Sequence, residues 1–436
     1  MLDIKFIREN PEKVALGAAA KNVKLDIRHV LKLDAEKREA QIQAEKTRAL
    51  QKEMSAAVPK AADKAKEKLL KDLARLKEEF KEQEARLKKF DAELEAELMR
   101  IPNLAFPEVK VGKDESENEV VRLSGSPTKF AFKPKAHWEL GEALGVIDNE
   151  RAAKVSGARF TYLKGRLVLL QFALIQLALK TLTDEKAIAG IAKTAGLDVP
   201  SRPFIPVVPP VMIKPDVLQK MARLEPKEER YHIPSDDLYL VGSAEHTLGS
   251  MHMDEILDEK DLPLRYVGYS SSFRREAGSY GKDTRGILRL HQFDKLEMES
   301  FTVPEDSKKE QDFFVAVQGH LMKSLGIPHR VVAICTGDMG APDARQIDIE
   351  SWMPGQGVYR ETHTSDLNTD YQARRLNTRI RRKDGKHVIA HMNDATAFAV
   401  GRTLVAVMEN YQQADGSVRV PEALVPYCGF DVIKKE

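Results

Sequence analysis

Cysteine is nearly absent from these 436 residues: Cys335 and Cys428 are the only two, and neither sits in a CxxC pair or a Cys/His cluster. A disulfide framework and a zinc site of the usual kind are therefore not expected, and a reducing compartment fits. Long apolar runs are missing as well. No stretch of eighteen apolar residues occurs, so no spanning helix is expected. The opening MLDIKFIREN breaks its apolar residues with charges, unlike a signal peptide. Neither GxxxxGK[ST] nor GxGxxG occurs, which removes the Walker and Rossmann nucleotide folds. Charge of one sign is scarce too. Charged residues make up 31% of the chain, yet the formal net charge is only +2, so any nucleic-acid contact must come from a local patch. These absences predict a soluble cytoplasmic protein without a membrane segment.

Residues 34–100 lack glycine and hold a single proline, Pro59. They are rich in Ala, Glu, Lys, Leu and Arg. In their second half Leu69, Leu73, Leu76, Phe80, Leu87, Phe90 and Leu94 step by four and three, with Gln83 at the missing position. That is a heptad seam. A weaker seam runs through Ala40, Ala44, Leu50 and Met54. The spacing predicts an antiparallel helical hairpin broken at residues 55–60, with Pro59 starting the second helix. At 1.5 Å per residue the hairpin is roughly 40–60 Å long. Such a rod suits a dimerisation or spacer element, or a reach toward a large partner.

RIPNLAFPEV then ends the helix with two prolines. Beyond it, apolar runs such as PFIPVVPPVMI, LRYVGYSSSF, GILRLHQF and HRVVAICTG read as strands, and RLVLLQFALIQLALKTL and DSKKEQDFFVAVQGHLMKSLG as helices. The class is α+β. The division predicted is an arm over 1–108 and a catalytic-type domain over 109–436.

Four segments carry candidate chemistry. In FRREAGSYGKDTRGILRLHQFDKLE, Arg274 and Glu276 are two apart and on a strand would share a face. Arginine's planar fork suits phosphate or carboxylate, and Phe293 would return on the neighbouring strand where a ring can stack on a base. A surface hairpin with a cross-strand ion pair explains the same residues. In LYLVGSAEHTLG, Ser243 and Glu245 lie at a strand end where a ligand ammonium can bind, while Ser243 is also good helix-capping chemistry. Glu361-Thr362-His363-Thr364 offers oxygen ligands for magnesium, or a polar strand facing solvent. In HMNDATAFAVGRTLVAVMENYQ, Arg402 interrupts an apolar helix and requires a partner, either a phosphate or an acidic side chain.

The motifs resemble those of one family. FRREAGSYGKDTRGILRLHQFDKLEM is similar to motif 2 of the class II aminoacyl-tRNA synthetases, and specifically to the seryl version. AFAVGRTLVAVMENYQQADGSVRVPEAL resembles motif 3 and the tail, and PVVPPVMI with Pro210 resembles motif 1 at the dimer interface. The resemblance covers essentially the whole chain. It implies a tRNA-binding antiparallel coiled-coil arm followed by a catalytic domain on a mostly antiparallel sheet flanked by helices. It implies a bacterial-type ligase that forms seryl-adenylate from L-serine and ATP with Mg2+, then charges tRNA(Ser), and tRNA(Sec) where present, as a cytoplasmic homodimer. Carried over by position, ATP contacts fall at Arg274, Arg275, Glu276, Leu290, Phe293, Glu361, Thr362, His363, Thr364 and Arg402. Arg274, Glu276 and Arg402 are the catalytic set, and Glu361 is the metal ligand. Serine contacts fall at Ser243, Ala244, Glu245, Arg274, Glu297 and Thr396.

The chain also departs from the family. SAE replaces Thr-x-Glu, ETHT replaces Glu-Ile-Ser-Ser, and NDATA replaces Asn-Gly-Ser-Gly. Counting back from Arg402 makes Thr396 the hydroxyl. MARLEPKEERYHI stands where the family has Thr-Gly-Gln-Leu.

Overall fold

The computed structural model describes residues 1–277 and 285–435. It divides into two units, Met1–Pro102 and Asn103–Glu436.

The first unit is built on two long helices, α1 (Ile27–Ala57) and α2 (Asp63–Arg100). Asp26 caps α1 by accepting from the Arg28 and His29 N–H groups, both at 3.1 Å. The helices pack along the expected seam of α2: Leu76 and Leu94 are buried, and Leu69, Leu73, Phe80, Gln83, Leu87 and Phe90 are half-buried. On α1 the seam differs from the apolar reading. Leu50 is 44% exposed, and Thr47 and Gln51 take the inward positions between Ala44 and Met54. Gln51 donates to the Leu76 carbonyl at 2.7 Å, which satisfies a polar side chain inside the seam. Pro59 does not start α2. It sits in a 3-10 turn, Val58–Lys60, and α2 begins at Asp63, whose negative charge suits a helix N-terminus.

The second unit is an eight-stranded sheet flanked by helices. Its strands are β1 (Glu119–Ser124), β2 (Ile205–Val207), β3 (Leu264–Phe273), β4 (Gln292–Thr302), β5 (His329–Ala333), β6 (Arg345–Met353), β7 (Val358–Thr369) and β8 (His391–Ala399). The order across the sheet is β1-β5-β6-β7-β8-β4-β3-β2. Every neighbouring pair is antiparallel except β2–β3. This is the mostly antiparallel sheet expected. LRYVGYSSSF is one strand as read, but PFIPVVPPVMI splits around Pro209 and Pro210, which cannot donate to a ladder. GILRLHQF contributes to a strand only from Gln292. Gly286 has φ +74°, and a Cβ there would meet the His137 ring at 2.0 Å, so the chain turns before pairing.

Helices α3 (Arg166–Leu182), α4 (Ser307–Ser324) and α5 (Val400–Asn410) supply much of the core against the sheet. Along β4 the period of two divides the strand. Leu296 and Met298 enter the apolar core, so Lys295, Glu297 and Glu299 occupy the opposite face. No single helix among the described residues is long and apolar enough to cross a membrane.

Candidate active site

The polar face of β4, β7 and β8, with the chain that follows β3, lines a cleft that collects most of the residues singled out above. Arg274, Glu276, Leu290, Phe293, Glu361, Thr362, Thr364 and Arg402 line it together with Glu245, Glu297 and Thr396. Glu245 and Arg402, 157 residues apart in sequence, line one cleft because the antiparallel ladder places β8 between β4 and β7.

One end is basic and aromatic. Phe293 pairs with Ser272 across β3–β4, and the Arg274 guanidinium lies 5.4 Å from the Phe293 ring centroid. Arg274 Nε donates to the Gly242 carbonyl at 3.1 Å, and its backbone exchanges contacts with His291. Arg274 and Glu276 are not on a strand, because β3 ends at Phe273. Glu276 has φ +51°, a left-handed conformation that turns the chain, and its carboxylate accepts from Arg289 Nη1 at 3.2 Å. Residues 278–284, the centre of the glycine-containing loop, lie outside the described residues. Arg402 Nη1 donates to Glu361 Oε1 at 2.8 Å, so the acidic partner is the one it has here.

The other end is acidic and closed. Glu297 is buried, with Oε2 2.6 Å from Lys295 Nζ and 3.3 Å from the Ser243 hydroxyl that donates to it. Thr396 faces Glu297 Oε1 at 3.5 Å. Burial pushes the Glu297 carboxyl up, and the Lys295 ammonium pulls against that rise. Glu245 is buried too. Burial alone would raise it, but Arg223, 2.7 Å away, holds it well below the usual carboxylate range. Asp366 and Asp394 line the same end, and burial among acidic neighbours holds both well above that range.

Four expected residues lie outside the cleft. Arg275 is exposed, with its guanidinium 5.4 Å from the Tyr231 ring centroid. His363 is buried on the other face of β7, 5.8 Å from Phe398 between ring centroids. Ala244 packs in an apolar cluster with Leu248, Tyr266 and Phe301. Among the described residues, Ser243 touches the site through Glu297 and Lys295. It does not cap the helix Glu245–Leu248, whose preceding residue is Ala244. Thr362 lines the cleft, yet its hydroxyl bonds Ser351 and the Ile349 carbonyl within the sheet. Sequence reasoning missed Arg223, Arg289, Lys295, Asp366 and Asp394. Strand parity would have found Lys295 from Glu297 and Asp366 from Thr364. Arg223 comes from a loop and carries no such signal.

Two family models match the chain: the seryl-tRNA synthetase N-terminal domain over residues 1–105, and the class II tRNA synthetase core domain (G, H, P, S and T) over 229–411. The chain is 40% identical over 442 residues to a serine–tRNA ligase of Thermodesulfovibrio yellowstonii, covering 100% of both. It is 43% identical over 436 residues to one of Acidothermus cellulolyticus, covering 100% of this chain and 99% of the other. The crystal structure of seryl-tRNA synthetase from Pyrococcus horikoshii complexed with ATP superposes with a TM-score of 0.89 at 38% identity, covering 100% of both chains.

Proposed function

We propose the chemistry of this chain from one premise: it belongs to the seryl-tRNA synthetase family, and its reaction is that of a serine–tRNA ligase. It joins serine to ATP as seryl-adenylate with release of pyrophosphate, and transfers serine to tRNA. The serine carboxylate is already a nucleophile, so the site has to position and neutralise rather than abstract a proton.

The roles follow the cleft's polarity. Arg274 bridges the serine carboxylate and the α-phosphate, drawing two anions together. Phe293 stacks the adenine with Leu290 beside it, and Glu276 contacts the nucleotide from its strained turn. Glu245 takes the α-ammonium, and Glu297 accepts a hydrogen bond from the serine hydroxyl with Thr396 alongside. The observation that carries this reading is Glu297: a buried carboxylate at the closed end, backed by Lys295, where a substrate hydroxyl is the donor that alanine lacks.

The residues fit magnesium. Glu361 and Thr364 offer oxygen ligands, and Asp348 faces Thr364 across β6–β7. Burial and repulsion from Glu361 hold the Asp348 carboxyl well above its ordinary range, a strain that a divalent cation relieves. When bound, the ion supplies charge neutralisation at the leaving pyrophosphate. Arg402 then exchanges Glu361 for the γ-phosphate.

The first unit is the tRNA reader. A long charged hairpin suits the shape and phosphates of an extended RNA element, with tRNA(Ser) as acceptor and tRNA(Sec) where that RNA exists. The chain works in the cytoplasm as a homodimer, with the exposed apolar residues Ile205, Val208 and Met212 supporting the dimer face.

ATP–pyrophosphate exchange with serine, threonine, alanine and glycine in turn, without tRNA, tests the pocket. Exchange with serine alone is expected. Exchange driven by alanine or glycine instead overturns the assignment of Glu297.

A further inference from the structure

The acidic end of the cleft contains a cation whose role is unassigned. Arg223 lies on the loop after the helix Pro215–Lys220, and that loop is tied down locally. The Met221 carbonyl accepts from Gln372 Nε2 at 3.0 Å, and the Arg223 carbonyl accepts from Arg230 Nε at 2.7 Å. The Arg223 N–H donates to the Leu218 carbonyl at 3.1 Å. The guanidinium therefore enters the cleft from a fixed origin. Its Nε is 2.7 Å from Glu245 Oε1, and its Nη2 is 3.5 Å from Asp366 Oδ2 and 3.8 Å from both Asp343 Oδ1 and Asp394 Oδ2. Four carboxylates converge on one arginine whose side chain is only 16% exposed. Asp366 Oδ1 is buried in the same cleft without a hydrogen-bond partner.

Acidic side chains outnumber cations here. Glu245, Glu297, Asp366 and Asp394 line this end, against Arg223 and Lys295. Lys295 is engaged with Glu297, and Arg223 lies within ion-pair distance of the other three. We propose that Arg223 is a positioning residue for the amino-acid substrate, holding the Glu245 carboxylate by the ion pair at Oε1 so that Oε2 is left for the substrate's α-ammonium. This rests on the assignment of Glu245 to that ammonium. A buried carboxylate deprived of its cation takes up a proton, and a protonated Glu245 no longer attracts a cationic group. Arg223 stands at the acidic end and not beside Arg402 and Glu361, so its loss acts on serine and spares ATP.

The test is ATP–pyrophosphate exchange on the full chain, titrating serine and ATP separately, for Arg223→Met, Arg223→Lys and Glu245→Gln. Arg223→Met is expected to raise the serine KM at least about tenfold and to move the ATP KM less than about twofold. Arg223→Lys, which keeps the charge and loses the fork, is expected to recover part of the loss. An unchanged or lowered serine KM in Arg223→Met, with a raised one in Glu245→Gln, overturns the role of Arg223 alone. An unchanged serine KM in Glu245→Gln overturns the assignment of Glu245 and the inference built on it. Should Arg223→Met fail to fold, Arg223→Gln, which also removes the charge, decides: a serine KM equal to the parent's overturns the proposal.

Discussion

Glu297 and Thr396 face each other across β4 and β8 because the ladder skips Ala397: Leu296 pairs with Phe398, and the next partner, Glu297, pairs with Thr396. The bulge turns the Thr396 hydroxyl onto the polar face, 3.5 Å from Glu297 Oε1. The two side chains form the closed end of the cleft, the end proposed above for the serine hydroxyl. On the proposed role of Glu297 as acceptor of the serine hydroxyl, replacing it by alanine is expected to lower serine kcat/KM by about 10³-fold or more, while ATP still binds. Exchange kinetics with a separate ATP-binding measurement check it. Near-parental serine activation would remove Glu297 from the role.

The Arg402–Glu361 pair carries a second expectation. At 2.8 Å and half-exposed, it gives little stability, so it can open when phosphate arrives. Arg402→Ala is expected to lower the exchange rate by about 10²–10³-fold, the scale of losing one preorganised charge at a transition state. Glu361→Gln is expected instead to raise the magnesium concentration needed for half-maximal exchange, with the thermal midpoint unchanged. A magnesium titration of both variants separates phosphate binding from metal holding.

Legibility in the sequence followed periodicity. The α2 seam was readable because apolar side chains fill it, whereas the α1 seam was obscured at Thr47 and Gln51, where a hydrogen bond to Leu76 replaces apolar packing. The strand LRYVGYSSSF was readable to its last residue. The turn after it was not, since Glu276 adopts a left-handed backbone that no local pattern announces. In the cleft, residues fixed by strand parity were open to inference. Arg223 was not, because only the fold brings its loop beside Asp343, Asp366 and Asp394.

The hairpin makes its own test. Deleting residues 35–98 is expected to leave ATP–pyrophosphate exchange within about twofold of the parent and to abolish tRNA charging, because RNA contacts over a shape need the whole surface. A finer variant, Leu76→Asp, places a charge in the buried seam and is expected to cost about 3 kcal/mol or more locally. Its charging should fall while exchange stays. Charging that survives the deletion would show that the arm is not the RNA reader.

His363 gives the pH dependence. It was expected at the nucleotide, but it faces away from the cleft, and burial, with repulsion from His329, holds it down to about 3. In the unfolded chain a histidine titrates near about 6.5. Between these values the unfolded chain binds a proton that the folded chain refuses. Stability from His363 is therefore complete above about pH 6.5 and is lost as the pH falls toward 3, by up to a few kcal/mol over the whole window. His363→Asn removes that proton uptake. The fall in thermal midpoint between pH 7 and pH 4.5 is expected to be several degrees smaller in the variant, of the order that ~1–2 kcal/mol produces in a domain this size. Equal falls in both proteins would place the acid sensitivity elsewhere, with His246, which burial also holds well below its ordinary value, as the next group to replace.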